Sequence, residues 1–153
     1  MGTETEQDLK DLRIRQFSVF MENKAGRLLD LVKLLGENQV HIVALTILDS
    51  VDASIVRLVV DDPSRARGIL LEHTVSFTES TLVVVELPSS AEDLASVLTA
   101  LLQAECNIYF SYSFLTRPRG KAALAVHVDD EEVAIGVLTQ NHFKILSQKD
   151  VSR

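Results

Sequence analysis

With 22 acidic against 15 basic side chains in 153 residues, the chain carries a net charge of −7, so it lacks the basic excess of a nucleic-acid or anionic-lipid surface, and neither a nucleic acid nor a membrane is an expected partner. Hydrophobic residues make up 46% and charged residues 24% of the chain, an ordinary globular balance. The single cysteine, Cys106, excludes an intrachain disulfide and points to a reducing, cytoplasmic setting.

Residues 1–12 are polar and acidic, lack the apolar segment of a signal peptide, and read as a tail. No apolar run approaches the roughly 20 residues that cross a bilayer. Residues 14–21 alternate, with Phe17, Val19 and Met21 on one side and Gln16, Ser18 and Phe20 on the other. That period of two predicts a half-buried strand. A turn through Glu22-Asn23-Lys24-Ala25-Gly26 leads into a helix that ends about residue 38. Strands at 40–48 and 53–60 flank a hairpin turn, Asp49-Ser50-Val51-Asp52. Asp62-Pro63 opens a second helix, with Asp accepting backbone N–H groups and Pro at the first helical position. It ends near residue 73, and a short strand at 75–78 follows.

The same order then recurs. A strand at 81–87 precedes Ser89 and Glu92, which have the spacing of a capping box ahead of a helix to about residue 105. A strand at 107–115, the turn Arg117-Pro118-Arg119-Gly120 and a strand at 121–128 come next. Asp129-Asp130 stands before a helix to about residue 141, a last strand occupies 143–146, and residues 149–153 read as a tail. The recurrence extends to side chains. Leu28, Leu31, Val32 and Leu35 return 66 positions later as Leu94, Val97, Leu98 and Leu101. Ala66, Ile69 and Leu70 return 68 positions later as Ala134, Val137 and Leu138.

This is an internal duplication of a βαββαβ unit, one copy over 13–78 and the other over 79–148. A βαββαβ order makes a four-stranded antiparallel sheet with two helices on one face, the ferredoxin-like arrangement. The predicted class is therefore α+β, with two ferredoxin-like units in tandem, side by side in one eight-stranded antiparallel sheet with helices on one face. The helix-free face would carry Phe20, Val43, Leu45, Ile47, Ile55, Val59 and Tyr109. So much apolar area calls for a cover, and a second copy stacked on it predicts a homodimer.

Catalytic signatures are absent: the chain has no GxSxG, HExxH, CxxC or Walker-type loop. His41, His73, His127 and His142 lack metal-ligand spacing. Asp61-Asp62 and Asp129-Asp130 look like paired carboxylates, but both stand where helices begin and negative charge complements the helix dipole. No catalytic residue, metal or cofactor is expected. The loop Asn23-Lys24-Ala25-Gly26-Arg27 is different, because it delivers the chain to a helix N-terminus whose unpaired N–H groups favour an anion. Gly26 allows a positive φ and close approach of a ligand, and Asn23 either orients that ligand or caps the helix.

Loop, element order and duplication together resemble the ACT domain family. The stretch Glu22-Asn23-Lys24-Ala25-Gly26-Arg27-Leu28 is similar to that family's strand–loop–helix motif, with Ala25 where a proline often precedes the glycine. The resemblance covers about residues 13–148 and implies a stand-alone tandem protein that binds a free amino acid and regulates amino-acid metabolism without catalysis. It implies a ligand site formed by Asn23, Lys24, Ala25, Gly26, Arg27 and Leu28 against the second strand of a neighbouring unit, where Asn107-Ile108 matches and the first copy has His41. Ser111 and Ser113, counted onto the same strand face as Asn107, would add hydroxyls. In the second copy Glu92 stands where Gly26 does, which predicts one good site per chain. The alternative implied is a small regulatory subunit acting through a metabolic enzyme, similar to the acetolactate synthase small subunit.

Overall fold

The structure is a computed structural model that describes residues 12–152; the tail expected over 1–12 lies outside them, apart from Leu12. The elements are β1 (Ile14–Glu22), α1 (Arg27–Glu37), β2 (Ile42–Asp49), β3 (Ala53–Val60), α2 (Pro63–Glu72), β4 (Phe77–Leu87), α3 (Leu94–Gln103), β5 (Ile108–Ser113), β6 (Ala122–Val128), α4 (Glu131–Gln140), β7 (Ile145–Leu146) and α5 (Gln148–Val151). Short 3-10 turns at Ser90–Asp93 and Pro118–Gly120 complete the order. None of the described helices is long and apolar enough to cross a membrane. The residues read as a C-terminal tail include all of α5 but its first residue, and Val151 there is buried.

The described chain divides into two ferredoxin-like units, the first of residues 15–80 with Ser152 and the second of residues 12–14 with 81–151. In the first, the strand order is β2-β3-β1-β4. β1 runs antiparallel to β3, with Phe17 opposite Leu58 and Phe20 opposite Ile55. Phe17, Val19, Val56, Leu58 and Val60 pack beneath Leu31 and Leu35 of α1 and Ala66, Ile69 and Leu70 of α2. In the second unit the order is β7-β4-β6-β5. There Val83, Val85, Leu124, Val126 and Val128 pack beneath Val97 and Leu101 of α3 and Ala134 and Leu138 of α4. In each core the apolar residues recur at helical spacing in the helices and at alternate positions in the strands.

Seven strands form among the described residues, not the eight expected, because the strands read at 75–78 and 81–87 are one, β4. Its residues up to Ser80 belong to the first unit and those from Thr81 to the second. The polar pair Glu79-Ser80 lies between those two predicted segments. Both side chains are held across the strands. Glu79 accepts from Arg67 at 2.8 and 2.6 Å and from Arg15 at 3.4 Å, and Ser80 Oγ accepts from Gln16 Nε2 at 2.9 Å. The Arg67 fork, supported by Arg15, holds the Glu79 carboxyl below the usual carboxylate range.

A second departure is a bulge in each edge strand. The β2–β3 register shifts between Ile42 and Ala44, leaving Val43 unpaired, and the β5–β6 register shifts between Ile108 and Phe110, leaving Tyr109 unpaired. One extra residue reverses which face each later side chain takes. Leu45 and Ile47 therefore lie opposite Leu58 and Val56, whose side chains belong to the core beneath the helices. They are not on the helix-free face where simple alternation put them. Val59, also assigned to an uncovered face, is fully buried within the chain. What remains exposed there on the first unit is the cross-strand row of Phe20, the half-buried Ile55 and Leu48.

All four main helices end the same way. Gln39, Thr74, Glu105 and His142 take positive φ between 55° and 68°. The N–H two residues past each cap reaches back to a leucine carbonyl: Val40 to Leu35, Val75 to Leu70, Cys106 to Leu101 and Phe143 to Leu138, at 2.9 to 3.0 Å. This is the Schellman motif, built without the glycine that normally relieves the left-handed position. Thr74 is the most strained of the four by chemistry, because a β-branched side chain is least at ease there. A left-handed L-residue costs about 1–2 kcal/mol, of which glycine's extra chain entropy returns about 0.5–1 kcal/mol. Thr74→Gly should therefore stabilise the protein, raising its thermal midpoint by a few degrees on a denaturation curve.

Candidate ligand-binding loop

β1 ends at Glu22, and the chain turns through a short bonded loop before α1. Lys24 N–H donates to Glu22 O at 2.8 Å, and Arg27 N–H to Lys24 O at 3.2 Å. Gly26 is the N-cap, at φ 89°, and no side chain caps the helix. Asn23, expected either to cap α1 or to orient a ligand, donates instead through Nδ2 to Asp49 Oδ2 at 3.2 Å. Arg27 N–H is taken by Lys24 O, and Asp30 N–H by Gly26 O at 2.9 Å. The Leu28 and Leu29 N–H groups are thus left as the donors of an uncapped helix end.

Asn23, Lys24, Ala25, Gly26, Arg27 and Leu28 all line one cavity of about 360 Å³. Its remaining walls come from residues that the loop motif does not contain. Met21, Ile47 and Val56 supply apolar surface, and Asp49 and Ser54 supply polar groups. Ser54 Oγ donates to Asp49 Oδ1 at 2.6 Å. Glu22 is paired with Lys24 Nζ at 2.9 Å and lies 3.9 Å from Arg27. The hydrogen bond from Lys24 holds the Glu22 carboxyl below its usual range. Gly26 is open: a Cβ there would meet nothing within 4 Å, so the glycine is required by its positive φ, not by crowding from the protein.

The second copy of the loop is rebuilt. The positive φ falls on Ser90, at 52°, not on Glu92, and Ser90–Asp93 forms a 3-10 turn before α3. The expected capping box does not form. Ser89 makes no side-chain cap; its backbone N–H donates to Asp93 Oδ2 at 2.6 Å. Two carboxylates, Glu92 and Asp93, therefore stand in the first turn, where an anionic ligand would have to sit.

The other expected site residues lie in the second unit. Asn107 N–H donates to Asp129 Oδ1 at 3.0 Å, and its amide Nδ2 donates to Asp129 Oδ2 at 3.0 Å. Asp129 N–H returns a bond to Asn107 O at 3.1 Å. His41 and Asp61 repeat this clamp in the first unit: His41 N–H reaches Asp61 Oδ1, and Nδ1 pairs with Oδ2, both at 2.8 Å. Asp61 N–H donates to His41 O at 3.0 Å. Only the second aspartate of each pair caps a helix, Asp62 accepting from Arg65 N–H and Asp130 from Val133 N–H, each at 3.1 Å. The first aspartate ties the start of one strand to the end of the next, a role that adjacency in sequence does not disclose. Partial burial works against ionisation of Asp129, but hydrogen bonds from the Cys106 thiol and Asn107 outweigh it and hold its carboxyl below the usual range.

Because its Nδ2 serves Asp129, Asn107 keeps its amide oxygen as the group able to accept from a ligand. Ile108 lies opposite Val128, Ser111 opposite Val126 and Ser113 opposite Leu124. The Tyr109 bulge therefore places Ser111 and Ser113 on the face of Ile108, not on that of Asn107 as period-two counting required. A larger hollow, about 580 Å³, opens over Gln39, His41, Asp61 and Asp62. Its carboxylates already serve as clamp and cap, and they make it a poor seat for an anion.

A family model for the ACT domain pair matches residues 12–153. Among solved structures, protein BT0572 from Bacteroides thetaiotaomicron is similar at 27% identity and a TM-score of 0.83, covering 93% of this chain and 97% of that one. The ligand-free regulatory subunit of aspartate kinase from Thermus thermophilus is similar at 15% identity and a TM-score of 0.59, covering 85% and 90%. The corresponding subunit from Thermus flavus is similar at 14% identity and a TM-score of 0.50, covering 85% and 92%. No curated protein matches the chain.

Proposed function

Because the chain belongs to the ACT domain family, as the match over residues 12–153 shows, we propose that it is a non-catalytic regulator of amino-acid metabolism that binds a free amino acid at the Asn23–Leu28 loop. The observation that carries this reading is the convergence of all six loop residues on one cavity beside an uncapped helix N-terminus. The ligand carboxylate meets the Leu28 and Leu29 N–H groups, where the helix dipole favours negative charge. Lys24 and Arg27 add positive charge at the rim.

A second reading makes the chain the small regulatory subunit of a separate metabolic enzyme. What favours it is that two of the similar structures are of regulatory subunits of aspartate kinase. A thermal-shift screen of the purified protein against the twenty amino acids separates the two. A sensor is stabilised on its own by one amino acid or a chemically related few, because a ligand that binds only the folded state raises the midpoint. No shift with any of the twenty overturns the sensor reading in favour of the subunit.

A further inference from the structure

We propose that the loop cavity selects an amino acid with an aliphatic side chain and holds its ammonium group on Asp49; this rests on the reading of the loop as an amino-acid site. The cavity contains two carboxylates in unlike states. Glu22 is met by Lys24 at 2.9 Å and Arg27 at 3.9 Å. Asp49 is met only by neutral donors, Ser54 Oγ at 2.6 Å and Asn23 Nδ2 at 3.2 Å, and among the described residues no ion pair reaches it. Each of its oxygens has a second lone pair, so the carboxylate can accept further bonds without giving up either partner. A cation is what this group lacks, and a free amino acid brings one.

Asn23 and Ser54 also fix the Asp49 carboxylate from two elements, the loop and the start of β3. A carboxylate oriented by two hydrogen bonds presents its free lone pairs in a set direction, as an orienting group in a binding site must.

The rest of the wall is apolar. Met21 and Leu28 are half-buried, Val56 is buried, and Ile47 is 48% exposed although it is a large hydrophobe. Ile47 lies opposite Val56 across β2 and β3, so the two present one patch, and Met21 adds to it from β1. The patch offers no hydrogen-bond partner to a polar or charged ligand side chain, which would lose its water without compensation there. An aliphatic side chain loses nothing and covers Ile47. About 360 Å³ stands at the small end of the range for ligand pockets, which suits a single amino acid better than a nucleotide or a peptide.

Isothermal titration of the purified chain with L-leucine, L-isoleucine, L-valine and L-methionine, against L-lysine, L-arginine, L-aspartate and L-glutamate, tests the proposal. The expected result is that the aliphatic set binds at least tenfold more tightly than the charged set. Asp49→Asn, nearly isosteric, should weaken the best aliphatic ligand at least tenfold, the scale of a lost charge-assisted hydrogen bond. Ile47→Asp, at an exposed position, should erase the preference for aliphatic side chains; circular dichroism confirms that each variant folds. Preferred binding of a charged amino acid that Gly26→Glu abolishes overturns the selectivity while leaving the loop as the site. Aliphatic binding indifferent to Asp49→Asn overturns the role of that carboxylate. Binding of none of the eight, in a protein that also shows no shift with the other twelve, overturns the amino-acid site itself.

Discussion

Replacing Gly26 with Glu should abolish amino-acid binding while the protein still folds. The substitution gives the first loop the residue that the second copy already carries at Glu92. Two effects combine. A carboxylate is placed at the mouth of a helix end that would otherwise receive the ligand's own carboxylate, and like charges at close range repel. The side chain also stands where backbone alone leaves room, since nothing lies within 4 Å of a Cβ at this position. Loss of charge-assisted hydrogen bonds, about 1.5–3 kcal/mol each, amounts to tenfold or more in affinity. Because Gly26 sits at φ 89°, any L-residue there also carries strain of about 1–2 kcal/mol.

Gly26→Asn separates the two effects, because asparagine tolerates the left-handed region and brings no charge. Titration calorimetry should find binding retained in Gly26→Asn and lost in Gly26→Glu. Equal loss in both would mean that the presence of a side chain, not its charge, closes the site. Normal binding by Gly26→Glu would remove the loop from the site altogether. The mirror change, Glu92→Gly, should not create a second site. Asp93 remains in that turn with its carboxylate on the Ser89 N–H, and the positive φ has already moved to Ser90. A wild-type stoichiometry of two equal sites per chain would contradict this asymmetry.

Much of the architecture was legible because it rests on periodicity. The 66- and 68-residue recurrences mark Leu31, Leu35, Ala66 and Leu70 and their counterparts Val97, Leu101, Ala134 and Leu138, which fill the two cores, while Val32, Leu94 and Leu98 in the same pattern stay exposed. The loop was legible for another reason: a glycine between a strand and a helix has few structural substitutes. What escaped the sequence depends on contacts between distant residues. Nothing about Val43 or Tyr109 signals a bulge, yet each reverses the facing of every later residue in its strand. For that reason simple alternation puts Leu45 and Ile47 on the wrong face, and Ser111 and Ser113 on the face of Asn107. Glu79-Ser80 falls between two predicted strands until Arg67, Arg15 and Gln16 are seen to hold it in β4. Asp49 reads as a turn residue until β2 and β3 bring it under the loop. The two Asp-Asp pairs look alike within each pair, and only the strand partners His41 and Asn107 separate clamp from cap.

Leu70→Ala should cost the protein a large part of its stability. Leu70 is fully buried on the inner face of α2 and packs against the strands of the first unit. It is also the residue whose carbonyl receives the Val75 N–H at 2.9 Å, closing the C-terminal motif of the helix. Truncation removes the side chain that ties that motif to the core, leaving a cavity in a closely packed interior at a cost of about 2–5 kcal/mol. The adjacent Leu71 is 64% exposed, and Leu71→Ala should change stability by no more than about 0.5 kcal/mol. Urea denaturation of both variants makes the comparison. Two neighbouring leucines on one helix, similar in propensity and composition, should differ severalfold in their effect, because the periodicity that identified the repeat buries one and leaves the other in water. If the two variants lose equal stability, the inward face of α2 has been assigned wrongly, and with it the register by which Leu70 and Leu138 were matched as repeats.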